Sequence, residues 1–126
     1  MNLDRSAEPN GLRVLVVEDE YLVADDISET LQELGYKVAG PAATVSEAVA
    51  LIREGSIDCA LLDADLDGLS SSPVAELLAS LRIPYVVVTG YGNLSLATAE
   101  LQNAPRITKP YASGELASKL SELVRG

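Results

Sequence analysis

From Leu12 onward, short apolar runs alternate with amphipathic stretches. Arg13–Glu18 (RVLVVE) is a continuous apolar run closed by acids, the pattern of a strand buried on both faces. Ala24, Ile27, Leu31 and Leu34 then recur at helical spacing, and Gly35 follows as a stop. Tyr36–Gly40 predicts a short second strand. Thr44 and Glu47 form a capping box for a second helix whose apolar stripe is Val45, Ala48, Val49 and Ile52, ending at Gly55. Asp58–Asp63 (DCALLD) predicts a third strand, and Ser72 followed by Pro73 a helix start, with Val74, Leu77, Leu78 and Leu81 inward. Tyr85–Thr89 (YVVVT) is the most strand-like stretch of the chain. Asn93–Gln102 is a short, weak helix, Arg106–Lys109 a short fifth strand, and Leu116, Leu120 and Leu123 mark a last helix capped by Ser113. Five strand–helix units in succession predict an α/β domain with a parallel sheet covered on both faces.

The length of 126 residues fits one domain, and an apolar share of 48% argues for a folded core rather than disorder. Residues 1–11 are polar and include Pro9, Asn10 and Gly11, so a flexible leader is expected before a domain spanning 12–126. With the last helix reaching the final residue, no output domain is expected. No apolar run approaches the ~18 residues of a membrane span, and the start of the chain lacks the apolar core of a signal peptide. The expected setting is the cytoplasm.

Charge and missing residue types narrow the chemistry. A net charge of −10 disfavours nucleic acid and anionic membrane surfaces as partners. The chain has no histidine, which removes Ser-His-Asp and Cys-His catalysis, histidine-bound zinc and a phosphohistidine of its own. Its one cysteine, Cys59, lies inside an apolar run and reads as an inert buried thiol.

In open parallel sheets ligands bind beyond the carboxyl ends of the strands. Strand one ends in Glu18 and Asp19, strand three in Asp63, strand four in Thr89 and strand five in Lys109. Taken singly, each has a bland explanation: a turn aspartate, a strand threonine, a solvated loop lysine. Taken together they place three carboxylates, a hydroxyl and an ammonium at one sheet edge. Two carboxylates ~4 Å apart repel by about 4 kcal/mol at an effective dielectric near 20, so a proton or a cation must relieve them. All-oxygen donors point to Mg²⁺, which favours one or two carboxylates plus a phosphate. A carboxylate can attack phosphorus in line and become an acyl phosphate, with Lys109 and Thr89 answering the phosphoryl oxygens.

Two rival chemistries share the Asp63–Gly68 stretch (DADLDG). It matches the opening of a calcium-binding EF-hand loop, but the twelfth position is Val74 where a bidentate Glu is needed, and a strand precedes it. It also contains the DxD of haloacid-dehalogenase-type phosphatases, with Asp63 as nucleophile and Asp65 as general acid, but that motif normally closes the first strand of a longer chain.

The set VVEDE (16–20), LLDADLDG (61–68), VVVTGYG (86–92) and TKPY (108–111) resembles the receiver domains of response regulators over Leu12–Val124. The resemblance implies a flavodoxin-like fold with strand order 2-1-3-4-5. It implies Asp63 as the phosphorylated aspartate, Asp19 as the direct metal carboxylate, Glu18 acting through water, and Asp65 offering its backbone carbonyl to Mg²⁺. Thr89 takes the switch role and Lys109 the phosphate-binding role, and Lys109–Pro110 is a candidate cis peptide. The chain departs from the family on strand five, where Arg106, followed by Ile107, replaces the switch aromatic. IPYVVVTGYG instead resembles single-domain receivers with a PFxFATGY-type motif, with Tyr85 and Val88 in place of its Phe and Ala. Tyr91 is then the expected mobile reporter of phosphorylation, beside a marginal fourth helix. The implied partners are a sensor histidine kinase or phosphotransfer protein as donor and a downstream protein target. The face built from the fourth helix, fifth strand and fifth helix is the expected partner or homodimer surface. Self-phosphorylation and autodephosphorylation are the only expected activities. A degenerate receiver serving as a binding module is the remaining alternative, which the intact acid, Thr and Lys set disfavours.

Overall fold

The computed structural model describes residues 11–89, 99–108 and 113–125. The central sheet contains β1 (Arg13–Val17), β2 (Lys37–Ala42), β3 (Cys59–Asp63), β6 (Tyr85–Thr89) and β7 (Arg106–Thr108), all parallel, in the order β2-β1-β3-β6-β7. This is the expected flavodoxin-like 2-1-3-4-5 arrangement once the two minute strands β4 (Asp65–Leu66) and β5 (Leu69–Ser70) are set aside. The helices are α1 (Tyr21–Glu33), α2 (Val45–Glu54), α3 (Ser72–Ser80), α4 (Ala99–Gln102) and α5 (Ser113–Arg125).

The apolar strand runs follow from burial on both faces. Side chains alternate along a strand, so Val14 and Val16 join Cys59, Leu61, Val86 and Ile107 on one face. There they meet Ile27 and Leu31 of α1 and Leu116 and Leu120 of α5. Leu15, Val17, Ala60, Leu62 and Val87 point the other way, onto Ala48 and Ile52 of α2, Val74, Ala75 and Leu78 of α3, and Leu101 of α4. The helix stops behave as their sequence suggests. Gly35 and Gly55 have positive φ, and the Thr44 hydroxyl accepts the Glu47 N–H at 3.1 Å. The return bond of that capping box is displaced by one residue: Glu47 Oε1 accepts from Ala43 N–H at 2.8 Å rather than from Thr44.

One local expectation changes. β2 runs on to Ala42, through a cis Gly40–Pro41 peptide and a break in its register with β1. An edge strand tolerates such a proline because one side of it needs no ladder donor, and Glu18 N–H reaches Ala42 O at 2.9 Å to close the pairing. Gly40 has φ +91°, and a Cβ there would stand 2.8 Å from Ala42 N and 3.1 Å from Val16 O, so only glycine fits. α3 starts at Ser72 with Pro73 in its first turn, as expected, and the Ser72 hydroxyl accepts from Ser70 Oγ at 2.8 Å. Of the expected Asn93–Gln102 helix, Ala99–Gln102 is helical and residues 93–98 lie outside the described residues.

Candidate functional site

The sheet order reverses between β1 and β3, whose connections leave in opposite directions and open a crevice at the carboxyl edge. Glu18 and Asp19 follow β1 directly and Asp63 ends β3, so the topology alone brings them to that crevice. One carboxylate oxygen from each of the three lies within 4.8 Å of the other two. Glu18 is 3% exposed and Asp63 6%, while Asp19 is half-buried. Both buried carboxylates are oriented by the backbone two residues ahead: Glu18 Oε2 accepts from Glu20 N–H at 3.1 Å, and Asp63 Oδ1 from Asp65 N–H at 3.0 Å. The second contact is an Asx-turn, a habit of Asp at the start of a loop.

The Asp63–Gly68 stretch folds as a miniature hairpin. Asp65 pairs with Ser70 and Leu66 with Leu69, across a turn in which Asp67 and Gly68 have φ of 53° and 85°. Two successive positive φ values at Asp-Gly are the mark of a type I′ turn, which accounts for the aspartates that invited the EF-hand reading. The Asp65 side chain is exposed and outside the carboxylate cluster. That suits a backbone role better than the general acid of the phosphatase alternative. Ser71 N–H returns to Ala64 O at 3.1 Å and Ala64 N–H to Val88 O at 3.1 Å, fastening the loop base to β6.

Thr89 ends β6 beside this loop and is buried, with 6% exposed. Val88 pairs with Asp63 across the sheet, and Thr108, the residue before Lys109, pairs with Thr89. Glu18, Asp19, Asp63 and Thr89 are therefore gathered at one edge, as the strand ends predicted. Lys109, Tyr91 and the Lys109–Pro110 peptide lie outside the described residues. The donor set is all oxygen, crowded and held largely out of water, which suits a hard divalent cation. Cys59 belongs to the interior instead. Burial, with a smaller contribution from the Asp58 charge, pushes its thiol up to about 12.

A doubly covered parallel sheet with an acidic crevice at its switch point places the chain among flavodoxin-like ligand-binding domains. Comparison with known proteins then supplies the family: the response regulator receiver domain matches residues 14–121, and the chain belongs to it. It is a receiver domain of the kind used in two-component signalling. The transcriptional regulatory protein PdtaR of Mycobacterium tuberculosis is 32% identical over 107 residues, covering 82% of this chain and 52% of PdtaR. The chain thus spans about half the length of that curated relative. The solution structure of SdrG from Sphingomonas melonis Fr1 superposes with a TM-score of 0.78 at 35% identity, covering 90% of this chain and 97% of SdrG. SdrG is also known in a BeF3-activated conformation. The receiver domain of the sensor histidine kinase PA1611 from Pseudomonas aeruginosa PAO1 has a TM-score of 0.78 at 25% identity, covering 92% of this chain and 99% of its own. Its structure has a magnesium ion coordinated in the active site cleft. Among the described residues no helix is long and apolar enough to cross a membrane.

Proposed function

We propose that the chain is a phosphorylation-controlled signalling protein that accepts a phosphoryl group on Asp63 from a phosphohistidine of a sensor histidine kinase or phosphotransfer protein. The observation that carries this reading is the gathering of Glu18, Asp19 and Asp63 within 4.8 Å at the switch-point edge. In the transfer, an Asp63 carboxylate oxygen forms the new bond to phosphorus. The phosphorus–nitrogen bond breaks, and its electron pair stays on the donor imidazole. Asp63 is suited to this because its Oδ1 is pinned by Asp65 N–H and the loop base is tied to β6. Glu18, Asp19 and Asp63 would hold Mg²⁺, with the Asp65 carbonyl as a further oxygen. When bound, Mg²⁺ supplies charge neutralisation for the phosphoryl oxygens. The Thr89 hydroxyl donates to one phosphoryl oxygen and Lys109 answers another. The lack of any histidine supports an external donor. Output then passes to a protein partner, as a diffusible switch, a relay step or a sink for a shared kinase, with Tyr91 as the reporter beside Thr89.

The test is incubation with Mg²⁺ and acetyl phosphate, read by intact mass. The expected result is one labile phosphoryl adduct, absent in Asp63→Asn and absent with EDTA. An unmodified mass in the wild type, or an adduct that survives Asp63→Asn, overturns the assignment of the acceptor.

A further inference from the structure

The opposite, amino-terminal edge of the sheet holds a contact that the proposed chemistry does not use. Tyr85 opens β6, and its phenol hydroxyl donates to the backbone carbonyl of Glu100 in α4 at 2.6 Å. The carbonyls in the last turn of a helix look outside it for donors, and the Glu100 carbonyl finds one in the phenol. Two tertiary contacts hold this turn in place. Leu101 is buried in the core with 1% exposed, and Tyr85 grips Glu100 while packing against the same core cluster. Burial raises the Tyr85 pKa, with the Glu100 charge adding to it, so the donor proton stays in place at neutral pH. Beside the bond lies a cavity of about 390 Å³, lined by Ala79, Pro84, Asn103 and Ala104 among others.

Tyr85 and Thr89 are the two ends of one strand. In sequence, residues 90–98 separate Thr89 from the described part of α4. The helix is thus joined to β6 covalently past one end of the strand and by the phenol at the other. The PFxFATGY-type motif has Phe where this chain has Tyr85, so the hydroxyl is a property of this sequence and not a requirement of the strand.

We infer that Tyr85 is a positioning residue that latches α4 to the amino-terminal end of β6 and restrains the rearrangement that a phosphoryl group at Asp63 sets off through Thr89. The restraint rests on the receiver reading above; the latch itself does not. A bond present only before activation favours the unmodified state by its own strength, so its loss raises the population able to accept an activating ligand by the same factor.

The test compares wild type with Tyr85→Phe, which keeps the ring and removes only the donor. Two quantities are read: amide exchange at residues 101–104 without phosphate, and the midpoint for beryllofluoride binding with Mg²⁺, followed by NMR. The expected result is exchange about three- to tenfold faster, with beryllofluoride saturating at a concentration lower by a similar factor. A purely structural tyrosine would leave the midpoint unchanged or raise it. Unchanged exchange overturns the latch. Faster exchange with an unchanged or weaker beryllofluoride midpoint overturns the restraint. Tyr85→Leu removes the same donor with a different side chain and must also lower the midpoint, which keeps the test decisive if Tyr85→Phe does not fold. If wild type binds no beryllofluoride, the receiver reading fails, and the exchange arm alone still decides the latch.

Discussion

Replacing Asp63 by Asn should make the metal-free protein more stable, although Asp63 is buried and hydrogen-bonded. The three acidic side chains approach within 4.8 Å of one another. At that distance and an effective dielectric near 20, each pair of full charges repels by about 3.5 kcal/mol. Neutralising Asp63 removes two of the three pairs, an unscreened gain of about 7 kcal/mol. Most of that is not realised. Each charge is spread over two oxygens, Asp19 is half in solvent, and salt screens what water reaches. The asparagine carbonyl can still accept the Asp65 N–H that Asp63 Oδ1 takes at 3.0 Å, but without charge assistance, a loss of about 1 kcal/mol. A net stabilisation of about 2 kcal/mol remains, which for a chain of this size raises Tm by about 8 °C.

Mg²⁺ should reverse part of this difference. At ten times its dissociation constant, a ligand that binds only the folded state adds about 1.4 kcal/mol. The wild type should gain that, and Asp63→Asn, short of one carboxylate, much less. The assay is far-UV circular dichroism melting in EDTA and across a Mg²⁺ series, since the chain has no Trp to report by fluorescence. A mutant that melts at or below the wild type in EDTA, or that gains as much from Mg²⁺, would refute the picture of a carboxylate cluster under repulsion.

Two further outcomes follow from the interior. Gly40→Ala should destabilise by about 2–3 kcal/mol through a left-handed backbone and a Cβ pressed against Ala42 N and Val16 O. Urea unfolding should show this as a lower midpoint at an unchanged slope, and an unchanged midpoint would contradict the geometry. Stability should also fall steeply at high pH. Cys59, Tyr36 and Tyr85 all hold their protons more tightly folded than unfolded, chiefly through burial. Their contribution is complete below the unfolded thiol value of 9.0 and drains away as pH rises toward the folded Cys59 value of about 12. For Cys59 alone the loss reaches about 4 kcal/mol, so Cys59→Ala should flatten the decline in urea midpoints between pH 8 and 11. A mutant as steep as wild type would clear the thiol of responsibility.

The parts of this fold legible in the sequence are those set by burial and by local capping. β1, β3 and β6 are read from uninterrupted apolar runs because both of their faces are covered, and α2 from Thr44 and Glu47 because a cap is a contact between near neighbours. The acidic cluster is legible for a topological reason: once strand order is known, residues that end neighbouring strands must meet. What escaped is set by tertiary contact or by very short pairing. The hairpin at Asp65–Ser70 has two residue pairs, too few for any alternation to show, and its Asp-Gly turn passed for ligand spacing. β2 reached past Pro41 because its edge position tolerates what a central strand does not. Tyr85 read as strand propensity, since nothing in its surroundings marks a phenol that will meet a carbonyl 15 residues further on.

The strengths of the two contacts on α4 bear on how far it can move. The Tyr85–Glu100 bond, at 2.6 Å and half-buried, resists with about 1 kcal/mol. Extracting Leu101 from the core resists with several: the Leu→Ala substitutions that mimic its loss cost about 2–5 kcal/mol. The phenol is thus the contact that gives first, and the leucine the one that holds. A phosphoryl-driven change in α4 should therefore be a pivot about Leu101 with the Tyr85 contact broken, and not detachment of the helix. In the beryllofluoride-bound protein, amides of the Glu100 turn should lose protection while the Leu101 methyls stay packed in the core cluster that also holds Leu78 and Val87. Methyl-to-methyl distances by NMR would show a detached helix at once, and that result would refute the pivot.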